Sequence, residues 1–264
     1  MEQSERLDFL TRRFAAETER YRSMDLGRTD EEKRVALRSL MNVRMPRPMD
    51  EETLRVQDEY LTELAAEKGV VTVEAIPVKE GLSVWQGDIT RLAADAIVNA
   101  ANSAMLGCFQ PMHNCIDNCI HTYAGVQLRL ECARQMMTLR AENGPDYQQP
   151  AAVPMLTPGY NLPARYVIHI VGPIVEDEVT ESDRRKLSAC YENTLELCRE
   201  NGLRTVAFCC ISTGVFRFPK EEAAPIAVAT VRAWLDARPG VMERVVFAVH
   251  NDRDRVLYEE LLRA

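Results

Sequence analysis

The apolar positions divide the chain into two unlike parts. Up to residue 69 they recur at helical spacing. Leu7, Leu10, Phe14 and, more weakly, Thr18 and Tyr21 make one stripe, and Val35, Leu37, Leu40 and Met41 make a second after Asp30-Glu-Glu-Lys. Met45-Pro-Arg-Pro stops that segment. Asp50-Glu-Glu-Thr then places acidic residues where a helix N-terminus attracts them, ahead of Leu54, Tyr60, Leu61, Leu64 and a terminating Gly69. The pattern predicts a helical N-terminal extension over residues 1–69. It carries no catalytic constellation and reads as a packing appendage or a partner-docking surface.

From residue 70 short apolar runs alternate with amphipathic ones. Strands are predicted over Val70–Ile76, Leu82–Trp85, Asp95–Asn99, Ala151–Leu156, Tyr166–Val171, Thr205–Ile211 and Arg244–His250, with Thr157-Pro-Gly-Tyr as a turn. Helices are predicted through Ile116, Ile120 and Tyr123, from Gln127 to Arg140, and over Asp183–Asn201, Lys220–Asp236 and Asp252–Leu262. The unbroken apolar run at Thr205–Ile211 suits a strand covered on both faces. Alternating strands and helices predict an α/β domain over residues 70–264, with a largely parallel central sheet between helical layers.

Charge narrows the partners. With 40 Asp and Glu against 32 Lys and Arg, the net charge of −8 argues against a nucleic-acid groove. A nucleotide-sized ligand remains compatible, because a few backbone N–H groups hold a pyrophosphate without net positive charge. The N-terminus lacks the apolar core of a signal peptide, and no stretch has the length and apolarity of a membrane span. A soluble, cytoplasmic protein without a membrane partner is therefore expected. There the eight cysteines stay reduced, which favours metal binding or burial over disulfides.

One stretch departs from this ordinary composition. Gly107–His121, GCFQPMHNCIDNCIH, holds three of the eight cysteines and two of the four histidines. Such a density of soft and borderline ligands points to chemistry. Three loops at the carboxyl ends of predicted strands, where α/β sheets bind ligands, are its candidate companions. Asp88, after Leu82–Trp85, can receive an exocyclic amine or simply cap a turn. Asn99 and Asn102 can bond sugar hydroxyls or satisfy a loop backbone. Ser212–Pro219 can form a phosphate nest, with Phe216 or Phe218 stacking on the ligand, or can be a helix-capping turn with core aromatics.

In order, GDIT, IVNAAN, PGYNLPARYVIHIVGP and ISTGVFRFP resemble the macrodomain family, which binds ADP-ribose, over about residues 70–262. The resemblance implies a three-layer α/β/α fold with a mixed six- or seven-stranded sheet. It also implies that Asp88 and Ile89 hold the adenine and Asn102 the distal ribose. Ser212, Thr213, Gly214, Val215 and Phe216 would form the loop around the diphosphate and distal ribose.

The hydrolytic, MacroD-like branch has a glycine-rich loop where this chain has Cys108-Phe-Gln-Pro-Met-His113-Asn-Cys115, while Ile116-Asp117-Asn118 and Ile120-His121 keep the end of the pattern. Cys-x4-His-x-Cys and the helical extension are similar to a zinc-containing subgroup that removes ADP-ribose from proteins. Two thiolates and an imidazole suit Zn²⁺, and three protein ligands leave a fourth position open. Cys119 is an alternative fourth ligand. His121, His169 and His250 are expected to be structural. On this basis the protein is expected to be a zinc-dependent hydrolase acting on mono-ADP-ribosylated protein, with ester-linked ADP-ribose as substrate and Asn102 and Asp117 as catalytic residues. Asp117 serves as general base or, alternatively, as a helix N-cap. A non-catalytic ADP-ribose reader with a structural zinc and an O-acetyl-ADP-ribose deacetylase are the alternatives. Arg217, where many family members have glycine, has no assigned role.

Overall fold

The computed structural model describes residues 1–263; Ala264, the last residue of the expected second domain, lies outside them. The chain starts with three helices, α1 (Gln3–Ala16), α2 (Asp30–Val43) and α3 (Glu51–Lys68). Their ends are set locally. Thr29 and Glu32 form a reciprocal capping box at α2, and Asp50 accepts from the Thr53 N–H at α3. Gly69 ends α3 in a left-handed conformation at φ 82°. Leu7, Leu10 and Phe14 of α1 pack with Leu37, Leu40 and Met41 of α2 and with Val56, Tyr60 and Leu61 of α3. The extension thus has its own small core.

The remainder runs β1 (Val71–Thr72), β2 (Leu82–Gln86), β3 (Leu92–Ala93), β4 (Ala96–Ala100), α4 (Ile116–Ala124), α5 (Val126–Asn143), β5 (Met155–Pro158) and β6 (Tyr166–Ile170). It continues through α6 (Glu181–Glu200), β7 (Thr205–Phe208), α7 (Lys220–Ala237), β8 (Arg244–Val249) and α8 (Asp252–Arg263). Six strands form a sheet in the order β2-β8-β7-β4-β6-β5, parallel except for the antiparallel edge strand β5. Strand periodicity sends alternate residues to two cores. Val98, Ile168, Val206 and Phe247 face α6, α7 and α8, whereas Ile97, Val167, Ala207 and Val246 face α4 and α5. This is the expected three-layer mixed-sheet fold.

Several predicted strands are shorter or displaced. Of Val70–Ile76 only Val71–Thr72 is a strand, paired with β3, and Val73–Ala75 is a 3-10 turn. Val73 and Ile76 are both buried, so three-residue spacing, not alternation, governs the segment. The Ala151–Leu156 strand begins only at Met155 and absorbs Thr157 and Pro158, whose residue types suggest a turn. Ala152 has φ 64° and lies between prolines 150 and 154, which cannot donate to a ladder. Pro158 is tolerated because β5 is an edge strand. Thr205–Ile211 ends as a strand at Phe208; its apolarity persists because the following turn is itself covered.

Candidate functional site

The carboxyl ends of the strands gather the residues singled out from the sequence. Asn99 and His169 are register partners on neighbouring parallel strands β4 and β6, and both belong to the face that α4 covers. Asp117, in the first turn of α4, is therefore met from below. The Asn99 amide donates to Asp117 Oδ1 at 2.7 Å and to His169 Nδ1 at 3.0 Å. Asn102, just past β4, donates to the other carboxylate oxygen, Oδ2, at 3.3 Å and to the Gly107 carbonyl at 3.2 Å. Burial pushes the Asp117 carboxyl up to about 6, although the Asn99 amide, the Arg129 charge and the Asn102 amide all favour its ionised form. The N-cap of α4 is Cys115, whose thiol accepts from the Asn118 N–H at 3.4 Å, so Asp117 is not the cap.

The loop between Asn102 and α4 brings Cys108, His113 and Cys115 together, with all donor atoms within 4.8 Å of one another and all three residues half-buried. Cys108 Sγ and His113 Nδ1 stand 3.6 Å apart. A tetrahedral zinc with ordinary sulfur and nitrogen bond lengths puts two such donors about 3.6 Å from each other. The set fits the ion on donor chemistry and on this spacing. Cys119 lies one turn further on, outside this triad, with its sulfur 3.7 Å from Arg38 Nη2. Asn118, completely buried, ties the loop by donating to the carbonyls of Cys108 at 3.3 Å and Gln110 at 2.9 Å. Its supporting role has no sequence signal beyond adjacency to Asp117.

A second group of donors, His121, Cys132 and His169, is fully buried. His169 has little to offer a metal. The Asn99 amide occupies Nδ1, and Nε2 sits 3.0 Å from Thr157 Oγ1. Burial holds His169 neutral, down to about 3, and burial together with the nearby Arg129 charge holds His121 well below the ordinary imidazole range. Gly107 is required beside it: at φ 80°, an added Cβ would come within 2.7 Å of the His121 ring. His169 is held in the sheet by its bonds to Asn99 and Thr157, whereas His121 is buried with its Nε2 3.5 Å from Asp117 Oδ1.

The other predicted contacts sit on neighbouring strand ends. Asp88 caps the 3-10 turn at Ile89 by accepting from the N–H and hydroxyl of Thr90, while its other oxygen lies 3.5 Å from Lys68 at the end of α3. Ile89 is buried against β4 and α4 residues. After β7, Ser212 turns the chain with φ 65° and a buried hydroxyl that has no partner among the described residues. Gly172 makes room for it, since a Cβ there would meet that hydroxyl at 2.0 Å. Bonds within the turn use the N–H groups of Thr213, Arg217 and Phe218 and leave out those of Gly214, Val215 and Phe216. Val215 is exposed and Phe216 half-buried, but Phe218 is buried in the core beneath the loop. Stacking by Phe218 is thereby excluded. Arg217 is exposed at φ 60°, a conformation glycine adopts freely, and its N–H donates to the Gly214 carbonyl at 3.0 Å, closing the turn.

An α/β sheet with helices on both faces and a donor-rich, partly open loop at its carboxyl edge is a small-ligand domain of the nucleotide-binding kind. Similarity to known proteins makes that specific. The macro domain family model matches residues 98–227. The chain is 45% identical to a protein-ADP-ribose hydrolase of Treponema medium, over 99% of this chain and all of the relative. A protein-ADP-ribose hydrolase of Staphylococcus aureus (strain MSSA476) is 46% identical, covering 84% and 82% of the two chains. Among solved structures, the Trypanosoma brucei macrodomain in complex with ADP-ribose matches at 29% identity and TM-score 0.64, covering 85% of this chain and 94% of that one. The chain belongs to the macrodomain family.

Proposed function

We propose that the protein is a hydrolase that releases ADP-ribose from mono-ADP-ribosylated protein side chains. The observation that carries this is the hydrogen bond between Asn102 and Asp117, made beside the converging Cys108, His113 and Cys115. The full-length relative from Treponema medium, named for that activity, supports it. The adenine would lie against Asp88 and Ile89, and the diphosphate in the loop of Ser212, Thr213, Gly214, Val215 and Phe216, where the N–H groups of Gly214, Val215 and Phe216 are left out of the turn's own bonds. The distal ribose would meet Asn102, whose amide also holds Asp117. Asp117 then orients the attacking water and takes its proton. The water oxygen bonds to C1″ of the ribose as the C1″–O bond to the acceptor breaks. An ester-linked carboxylate leaves as the stable anion, so no acid is required on the leaving side. Zn²⁺ held by Cys108, His113 and Cys115 would supply Lewis-acid polarisation of a substrate oxygen and a more acidic bound water.

The test is incubation with a carrier protein mono-ADP-ribosylated on carboxylates, following free ADP-ribose with and without a chelator. Release is expected, and it should be lost in Asp117→Ala and after verified zinc removal. Tight ADP-ribose binding with no release would make the protein a reader. Release that survives complete zinc removal would take the metal out of the reaction.

A further inference from the structure

The N-terminal extension reaches into the loop that carries Cys108, His113 and Cys115. On α2, Arg38 Nη2 donates to the carbonyl of His113 at 2.8 Å and to Asn118 Oδ1 at 3.1 Å, with Cys119 Sγ at 3.7 Å. One turn along the same face, Asn42 accepts from the Met112 N–H at 3.0 Å and donates to Thr122 of α4 at 2.9 Å. Met112 holds a left-handed φ of 58°, a conformation costly for a side-chain-bearing residue and kept only where its surroundings impose it. The helix itself is anchored to the domain. Arg129 of α5, almost fully buried, donates to the carbonyls of Met41, Asn42 and Arg44, which end α2 without intrahelical partners. Its guanidinium also covers the Phe109 ring at 4.2 Å, next to Cys108.

These contacts bracket the three donors. Arg129 stacks on Phe109 beside Cys108, Arg38 holds the backbone of His113 itself, and Asn42 holds the residue before it. Asn118, bonded to Arg38, receives the other side of the same loop through the carbonyls of Cys108 and Gln110. A loop whose reactive ends are its only ordered points would lose its ligand geometry to backbone freedom; fixing it from outside removes that freedom before substrate arrives.

We propose that residues 1–69 are part of the site, with Arg38 and Asn42 as positioning residues. They hold the 108–115 loop in the conformation in which Cys108, His113 and Cys115 converge. The catalytic consequence rests on the hydrolase reading above.

The test compares full-length wild type, Arg38→Met, Asn42→Ala, the double variant and Arg38→Lys. Amide hydrogen exchange of the 107–119 segment, without and with Zn²⁺, is measured beside the ADP-ribose dissociation constant and the kcat and KM of release. In Arg38→Met and the double variant, exchange across 107–119 should rise while segments in β4 and β6 and the affinity for ADP-ribose stay near wild type. Zinc affinity and kcat should fall by about 10- to 100-fold, as for supports of metal ligands generally, with KM little changed. Arg38→Lys keeps a cation at the His113 carbonyl and should recover part of both. Unchanged exchange in the segment would overturn the proposal, as would full kcat despite a loosened loop. Parallel loss of ADP-ribose binding and of the whole fold would assign the extension to packing alone and overturn it too. If the wild type releases no ADP-ribose, the hydrolase reading falls by itself, and exchange with zinc affinity still decides the positioning role.

Discussion

Two clusters of cysteine and histidine flank Asp117, and residue type does not distinguish them. Cys108, His113 and Cys115 lie on a half-buried loop, with donor atoms close enough to share one ion. His121, Cys132 and His169 are as close together but sealed between β6, α4 and α5. The difference is burial and the prior use of lone pairs. His169 is already engaged by Asn99 and Thr157, and Asn99 passes that order on to Asp117. A ligand set needs free donors and an approach; a sealed set whose His169 is already bonded gives rigidity instead.

The largest effect that would test this contrast comes from Cys108→Ala. Release should drop by about 100-fold or more and bound zinc should be lost, because one of three donors disappears, while the melting temperature stays within a few degrees. Metal analysis with turnover reads it, and an equal loss of zinc in Cys132→Ala would erase the distinction. Next comes Asn99→Leu, which keeps volume but removes the bridge between the clusters. Leaving Asp117 and His169 short of a buried partner should cost about 1–3 kcal/mol in denaturant unfolding, and release should fall with it. Cys132→Ala should cost less, about 1–2 kcal/mol, with metal content unchanged.

The smallest is a pH effect. His169 folds with its pKa lowered from 6.5 to about 3, so the unfolded chain binds the proton first. Its stabilising contribution is fully present above pH 6.5 and is lost as pH falls toward 3, and His121 acts in the same direction. Between pH 6.5 and 5.5 the His169 contribution to stability in urea unfolding should fall by about 1 kcal/mol, and His169→Phe should make the slope shallower by that amount while the His121 part remains. An unchanged slope in the variant would place the proton elsewhere.

Much of the site is legible in the order of residues alone. Periodicity locates the helices of the extension, because amphipathic stripes at 3.6-residue spacing need no partner to be recognised. The strand leading to Asn102 and the turn at Ser212–Phe216 are legible as motifs, and Cys108, His113 and Cys115 as a ligand pattern. Strand limits are less so. Ala151–Leu156 and Thr205–Ile211 are apolar because they are covered, and coverage does not distinguish a ladder from a buried turn. Phe218 shows the same ambiguity: nothing in ISTGVFRFP says which phenylalanine faces the ligand and which the core.

Local pattern and short spacing were thus enough for the α/β architecture, the helical character of residues 1–69 and the grouping of Cys108, His113 and Cys115 as candidate donors. The side-by-side placement of Asn99 and His169 beneath Asp117 came only with the folded chain, since their pairing is a matter of strand register across 70 residues. So did the docking of the extension against the donor loop. Arg38 meets the carbonyl of His113 from 75 residues away, and Arg129 meets the end of α2 from more than 80. Those contacts are made by long polar side chains that, in sequence, look like any solvated arginine. Packing alone brings their partners within reach.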